Sequence, residues 1–312
     1  MIARSFVTSA FAILVAAAAL VAQEQFRSGT IGVRVDVLVT NGQQLVRGLT
    51  ARDFELRDEG IVQAVSEIEI EHIPLNLILV FDTSGSVAGE RLQSLLEAGE
   101  ALLAGLRMHD RVALLSFSTR VRLLAPLTSS RDQIRGALRS LQALGLTSVR
   151  DAAFAGLALR DADPGRTLVL IFSDGTDTSS WLRPEAVIES ARRSDAVVYA
   201  VGIADEVRWM SLSPPLRNGL TMGPQQTTTT TTVKHAGKFL ENITDETGGR
   251  VLFANANSDL RATFEKTLAE FRDRYVLSYV PTGVASTGWH RLEVKLKGKA
   301  GKVRARRGYF AE

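Results

Sequence analysis

The chain has no cysteine and only four histidines among its 312 residues. The lack of cysteine excludes disulfides, thiol catalysis and attachment of a lipid to an N-terminal cysteine. A serine hydrolase needs a Gly-x-Ser-x-Gly turn and a histidine base, and no histidine stands beside such a turn. No Gly-x-x-x-x-Gly-Lys-Ser/Thr loop occurs either, so nucleotide hydrolysis has no support. We therefore expect a non-enzymatic protein with no nucleotide partner.

Aromatic residues are scarce, at 6% of the chain, and the formal net charge is only +3. So small a basic excess gives no reason to expect a nucleic-acid partner. Hydrophobic residues at 45% and charged residues at 23% are ordinary for a globular protein. Much of the basic excess lies near the C-terminus, at Lys295, Lys297, Lys299, Lys302, Arg304, Arg306 and Arg307. We favour a solvated strand face for this run over a patch that binds an anionic surface.

The N-terminal residues have the pattern of a targeting segment. Residues 1–5 carry one positive charge, at Arg4, and residues 6–22 are almost wholly apolar and rich in alanine. This pattern predicts a signal peptide over residues 1–22. An uncleaved membrane anchor is the alternative, because the apolar run is close to the shortest span of a bilayer. Either form predicts an exported protein, periplasmic or secreted, with cell-envelope association as a further expectation.

Two flanks of the chain, residues 23–73 and 274–312, have the alternating apolar pattern of short strands. In the first flank Asn41-Gly42 signals a hairpin, and residues 64–70 are predicted to form one strand. The second flank predicts strands over residues 275–280, 290–296 and 302–307. Each flank is too short for a core of its own, so we expect the two to pair into one small β domain.

Between the flanks, residues 74–273 alternate apolar strands with helical patterns. The predicted strands cover 77–81, 112–117, 121–124, 167–172, 196–201 and 251–253, and the predicted helices cover 92–106, 134–141, 149–159, 184–193, 239–247 and 258–273. This order predicts an α/β domain with a doubly wound, mostly parallel, Rossmann-like sheet. A loop insertion over residues 205–234 contains six consecutive threonines. It is either a tolerated polar insertion or a loop that adds partner specificity.

Three polar clusters stand at corresponding places in this pattern. Asp82-Thr83-Ser84-Gly85-Ser86 follows one buried strand, Ser173-Asp174-Gly175 follows another, and Thr147 opens a predicted helix. Ligand sites of open α/β sheets form at the carboxyl ends of the strands, so we expect these clusters to meet at one edge. They supply carboxylate and hydroxyl oxygens, which hard divalent cations prefer.

The first cluster has two other interpretations. It could be a serine- and glycine-rich turn that caps a helix. It could also hold the nucleophile Asp82 of a magnesium-dependent phosphatase of the haloacid dehalogenase type. That chemistry needs a second carboxylate two residues on, where this chain has Ser84. Asp151, one helical turn beyond Thr147, is assigned a capping role in preference to an outer role at a metal.

The segments DTSGS (82–86), TSVRDA (147–152) and FSDGTD (172–177) resemble a von Willebrand factor type A domain, and the similarity covers roughly residues 74–271. The flanking segments LVRGLTARDFELRDEG, TGGRVLF, RDRYVLSYVP and VRARRGYF resemble exported bacterial proteins that carry this domain. The resemblance implies a metal-ion-dependent adhesion site for Mg²⁺, with Mn²⁺ or Ca²⁺ as alternatives. Its implied ligands are Asp82, Ser84, Ser86, Thr147 and Asp174.

By the same resemblance the two serines bind the metal directly, Thr147 directly or through water, and the two aspartates hold metal-bound waters or coordinate weakly. Three neutral hydroxyls leave the cation under-neutralised, so it favours an Asp or Glu side chain from a protein partner. The expected function is thus an adhesion-type module that binds its partner through the metal. A structural cell-envelope assembly subunit that does not need the metal is the alternative, and a metal-dependent hydrolase ranks below both.

Overall fold

A computed structural model describes residues 32–67, 73–159, 165–173, 177–203, 237–254 and 259–311. The predicted signal peptide over residues 1–22, the loop insertion over residues 205–234 and the predicted ligand Asp174 lie outside the described residues. No helix within the described ranges is long and apolar enough to cross a membrane.

The N-terminal flank forms short strands. They are β1 (Val33–Asn41), β2 (Gln44–Leu45), β3 (Phe54–Asp58), β4 (Ile61–Gln63) and β5 (Ser66–Glu67). The predicted hairpin joins β1 to β2, with Asn41 paired to Gln44 and Gly42 in the left-handed region at φ +59°. The predicted strand over residues 64–70 begins two residues later than expected, at Ser66, and Ser66–Glu67 pair with Ser278 and Leu277. Residues 68–70 lie outside the described residues.

The middle of the chain forms a larger unit, which we call the α/β module. Its strands are β6 (Leu75–Asp82), β7 (Arg111–Phe117), β8 (Val121–Thr128), β9 (Arg166–Phe172), β10 (Val197–Ile203) and β11 (Val251–Ala254). Its helices are α1 (Glu90–Ala104), α2 (Arg131–Arg139), α3 (Val149–Ala158), α4 (Pro184–Arg193), α5 (residues 237–246) and α6 (Leu260–Arg272).

These strands form one sheet in the order β11-β10-β9-β6-β7-β8, parallel except for the antiparallel pair β7–β8. Every residue of β6 and β9 is buried, because helices cover both faces of the sheet. One face packs against α1, α2 and α6, and the other packs against α3, α4 and α5. The predicted doubly wound, mostly parallel α/β fold is therefore confirmed.

The last helix packs directly beneath the carboxyl ends of the two central strands. The ring of Phe264, on α6, lies 5.8 Å from the ring of Phe81 and 6.3 Å from that of Phe172, measured between centroids. These two phenylalanines immediately precede the polar clusters at the ends of β6 and β9. The position of α6 and the position of those clusters are thus set by the same packing.

The C-terminal flank adds β12 (Tyr275–Tyr279), β13 (Gly288–Leu296), β14 (Lys302–Arg304) and β15 (Gly308–Ala311). Strand β12 pairs with β1 and β5, β14 pairs with β1, and β13 pairs with β3, so strands from both flanks share two sheets. We call these two sheets the β module. The predicted strand over residues 302–307 ends early at Arg304, because the chain then turns to pair β15 with β13.

The expectation of a fully solvated basic face at the C-terminus is wrong for two arginines. Arg304 and Arg306 are half-buried against the α/β module. Arg304 donates to Asp245 Oδ1 at 3.0 Å, and Arg306 donates to the carbonyl of Arg192 at 3.4 Å. The lysines of the run fit the expectation better, since Lys295 is 60% exposed and Lys299 is 48% exposed. The run therefore divides between an interface and a solvated surface.

Other arginines join the two modules in the same way. Buried Arg166 of β9 donates through Nε to Asp36 Oδ1 of β1 at 2.9 Å. The guanidinium of Arg193, on α4, lies 3.8 Å from the ring centroid of Phe310 on β15. Contacts of this polar kind are typical of domains that also fold separately.

We predict that a chain limited to residues 74–273 folds cooperatively but with a lower Tm than the full chain. The lost contacts, such as Arg166 to Asp36, leave the hydrophobic core of the α/β module intact. Thermal unfolding followed by circular dichroism measures the difference. A fragment without a cooperative transition would show that the two modules are not separable.

A buried polar network stands at the centre of the β module. Asp58, fully buried, accepts hydrogen bonds from Tyr279 at 2.8 Å and Tyr309 at 2.9 Å through Oδ2. Its Oδ1 lies 3.0 Å from Nδ1 of buried His290. Burial, together with the hydrogen bond to Asp58 and its charge, raises the pKa of Tyr309 to about 12, and the pKa of Tyr279 is raised for the same reasons.

We predict that the β module loses stability in alkali. The pKa of Tyr309 is about 12 in the folded chain against about 10 for an ordinary tyrosine, so folding favours the protonated hydroxyl. Its contribution to the free energy of unfolding is complete below about pH 10 and is lost as the pH rises to about 12. Urea unfolding across this window should show a shallower decline for Tyr309→Phe than for the wild type. Equal slopes would contradict the prediction.

Candidate metal centre

Asp82 is the last residue of β6 and is fully buried. Its Oδ1 accepts the backbone N–H of Ser84 at 2.8 Å, and its Oδ2 accepts the hydroxyl of Ser173 at 2.9 Å. The first bond shapes the turn that follows β6, and the second ties that turn to the end of β9. A buried carboxylate needs such hydrogen bonds to offset its loss of hydration.

The turn after Asp82 presents two hydroxyl groups side by side. A short 3₁₀ turn, Gly85–Val87, follows Ser84, and Thr83 N–H donates to the carbonyl of Phe117 at 2.7 Å. In this conformation Ser84 is buried, Ser86 is exposed, and their Oγ atoms are 3.0 Å apart. Both serines therefore face a common point at the carboxyl edge of the sheet.

Thr147 lies on a neighbouring loop at this edge. The sequence predicted that it opens a helix; α3 begins two residues later, at Val149. Its N–H donates to Thr178 Oγ1 at 2.9 Å, and its carbonyl accepts the N–H groups of Thr178 and Ser179 at 2.8 and 3.0 Å. Its own side-chain hydroxyl makes no hydrogen bond to the residues that the structure describes.

The loop that carries Thr147 is joined directly to the serine turn. Leu144 N–H donates to the carbonyl of Thr83 at 2.8 Å, and Gly85 N–H donates to that of Gly145 at 3.0 Å. Gly145 has φ +90°, and a Cβ there would lie 2.7 Å from Thr119 Oγ1, so the close approach requires glycine. The structure thus brings Asp82, Ser84, Ser86 and Thr147 to one edge, and Asp174, outside the described residues, directly follows Ser173.

A supporting group at this edge was missed by the sequence reasoning. Asp177 accepts the Ser180 hydroxyl at 2.6 Å and Arg150 Nε at 2.9 Å. Burial opposes ionisation of Asp177, but the bonds from Arg150 and Ser180 outweigh it and lower the pKa of this carboxyl. The spacing Asp-x-x-Ser is a local turn signal that could have identified the pair. Together they hold the segment that donates to Thr147.

Asp151 does not cap its own helix, contrary to the sequence-based prediction. Its Oδ2 accepts the N–H of Trp181 at 3.0 Å, and its Oδ1 accepts that of Leu182 at 2.9 Å. The carboxylate therefore fixes the loop between Asp177 and α4 against the start of α3.

The chemistry of the donor set fits Mg²⁺. Hydroxyl and carboxylate oxygens are hard ligands, and neighbouring oxygens in an octahedral Mg²⁺ site are about 3.0 Å apart. The Ser84 and Ser86 hydroxyls share a hydrogen bond of 3.0 Å, so the two oxygens are close enough to bind one cation together. Within the described ranges no three His, Cys, Asp or Glu side chains cluster as metal ligands, so a cation here would depend on hydroxyls.

The fold and this edge define a class: an α/β protein with a polar ligand site at the carboxyl ends of a doubly wound sheet. Within that class, residues 77–176 match the family model of the von Willebrand factor type A domain. The chain therefore contains a von Willebrand factor type A domain. Domains of this type commonly mediate protein interactions and adhesion.

Relatives and solved structures agree with this assignment. Inter-alpha-trypsin inhibitor heavy chain H4 of Bos taurus is 25% identical over 214 residues, 63% of this chain and 22% of that protein. Heavy chain H3 of Mesocricetus auratus is 27% identical over 135 residues, 39% of this chain and 15% of that protein. The chain thus spans about a fifth of the length of these curated relatives. A von Willebrand factor type A structure from Catenulispora acidiphila shares the fold, with TM-score 0.50 and 14% identity over 92% of this chain and 75% of that one.

We predict that Asp82→Ala lowers the free energy of unfolding by about 1–3 kcal/mol, because it removes the acceptor for the Ser84 N–H inside the protein. Ser86→Ala, at an exposed side chain, should change it by less than about 0.5 kcal/mol. Urea unfolding in the presence of EDTA measures both values without any contribution from metal binding. Equal effects would show that the Asp82 carboxylate does not organise the turn.

Proposed function

We propose that the chain is an exported, adhesion-type protein-binding module that captures its partner through Mg²⁺. The residues that would hold the ion are Asp82, Ser84, Ser86, Thr147 and Asp174. A bound Mg²⁺ would supply a positive centre with affinity for a carboxylate, so the partner offers an Asp or Glu side chain.

One observation carries the proposal: the hydroxyls of Ser84 and Ser86 stand 3.0 Å apart over the buried carboxylate of Asp82. Mn²⁺, close to Mg²⁺ in its preference for oxygen ligands, is the natural substitute in an experiment. Neutral hydroxyls contribute no charge, so a divalent ion on this set keeps affinity for an external anion.

The donor set also favours binding over catalysis. The position two residues after Asp82, where a phosphatase of the type considered above needs an acid–base carboxylate, is occupied by Ser84. Ser84 donates its N–H to Asp82, and its hydroxyl lies beside that of Ser86. The matched relatives are, in general, non-enzymatic. Export is supported by the charged, then apolar, N-terminal segment over residues 1–22.

We predict saturable binding of Mg²⁺ and of Mn²⁺ to the purified chain in titration calorimetry. The double variant Ser84→Ala/Ser86→Ala should bind neither ion, because two ligands are lost. The matched control Ser129→Ala/Ser286→Ala, at two exposed serines away from this edge, should bind like the wild type.

A second titration contains added acetate, because the partner is expected to complete the coordination. Tighter metal binding with acetate supports a carboxylate ligand. Absence of binding by the wild type in both titrations would overturn the metal-dependent function and favour a structural role for the domain.

A further inference from the structure

Three large apolar side chains stand in solvent around the proposed metal site. Leu144 is 78% exposed, Leu146 is 54% exposed and Trp181 is 93% exposed. We call these three residues the apolar rim. Leu146 directly precedes Thr147, and Leu144 lies two residues before Leu146. Trp181 follows the segment whose N–H groups bind the Thr147 carbonyl.

The backbone beneath the apolar rim is fixed to the metal-site segments. Leu144 N–H donates to the carbonyl of Thr83 at 2.8 Å, and Leu146 N–H donates to Thr119 Oγ1 at 3.0 Å. Trp181 N–H donates to Asp151 Oδ2 at 3.0 Å. A partner that covers these side chains would therefore order little backbone, which keeps the entropic cost of binding low.

Exposed apolar groups on a fixed backbone beside a polar centre are typical of an interface. The centre of a protein–protein interface is enriched in Trp and depleted of charge, and Trp is frequent among residues that dominate the binding energy. Exposed apolar side chains grouped beside a polar site commonly mark a binding surface. The cation would attract an acidic side chain, whereas the rim offers mainly apolar contact, with the indole N–H of Trp181 as its side-chain donor.

We infer that the apolar rim selects the partner by contacting large apolar side chains next to its metal-binding acidic residue. The occupant is a protein segment in which Asp or Glu is flanked by aliphatic or aromatic residues. This inference rests on the proposed function, because the partner's acidic residue binds through the metal. The choice between partners, however, is made by Leu144, Leu146 and Trp181.

Two synthetic nine-residue peptides test the selection. One carries a central Asp flanked by Leu and Phe, and the other carries a central Asp flanked by Ser and Gly. Each is titrated into the full chain with Mg²⁺ and with EDTA. We expect Mg²⁺-dependent binding of both, with the Leu/Phe peptide bound about tenfold more tightly, in keeping with the usual effect of burying one Trp and its neighbours.

Two double variants test which residues cause the preference for the Leu/Phe peptide. Leu144→Ser/Trp181→Ser should bind both peptides as weakly as the wild type binds the Ser/Gly peptide, with Mg²⁺ dependence retained. The matched control Met108→Ser/Leu123→Ser removes two other exposed apolar side chains, 84% and 50% exposed, and should keep the tenfold preference.

Fluorescence gives a readout that does not depend on affinity. Acrylamide quenching of the wild type, compared with Trp181→Phe, reports the accessibility of Trp181. We expect acrylamide to quench Trp181 readily in the free chain and less so when the Leu/Phe peptide is bound. Protection already present in the free chain would mean that the chain covers its own rim, and would overturn the inference.

The remaining outcomes separate the two proposals. Mg²⁺-dependent binding of both peptides with equal affinity would overturn the role of the apolar rim and leave the proposed function standing. No Mg²⁺-dependent binding of either peptide would overturn the proposed function, and the role of the rim with it.

Discussion

The carboxylate of Asp82 is the constraint on which this molecule's organisation depends. It is fully buried, so its charge must be offset from within, and its two oxygens accept hydrogen bonds from different segments. One bond sets the serine turn after β6, and the other holds the end of β9. Phe264 of the last helix packs against Phe81 and Phe172 below the same two strand ends. The helix and the polar edge are therefore both positioned by the ends of β6 and β9. Hydrogen bonds within the chain thus hold the described part of this polar edge together.

The α/β module could be predicted from the sequence because its strands are buried on both faces. Uninterrupted apolar runs such as residues 77–81 and 167–172, each followed by a helical pattern, leave few other folds open. The β module was less predictable in detail. The break after Arg304 reflects the pairing of β15 with β13. Where such a strand ends is decided by the strand it pairs with, which lies far away in the chain. Local strand propensity carries no information about that pairing.

The residues of the candidate site also differ in whether the sequence could predict them. Asp82, Ser84 and Ser86 could be found because they directly follow a strand whose direction is clear from its apolar run. The support from Asp177, the use of the Asp151 carboxylate by Trp181 and Leu182, and the half-burial of Arg304 and Arg306 could not. These depend on which loops and modules meet in three dimensions. Charge alone does not distinguish an arginine at an interface from one in solvent, because a guanidinium suits both.

The pairing of β12 with both β5 and β1 has a mechanical consequence. The chain enters the α/β module after β5 and leaves it through α6 into β12, and these two strands lie side by side, with Ser66 Oγ 2.8 Å from Ser278 Oγ. Tension applied at the polar edge would therefore pull both connections in the same direction, with no sliding between β5 and β12. The load would be shared between direct contacts of the two modules, such as Arg166 to Asp36, and the antiparallel ladder of Val33–Val37 with Tyr275–Tyr279. That ladder would be loaded along its strands, in shear, so that its hydrogen bonds resist together instead of opening one after another.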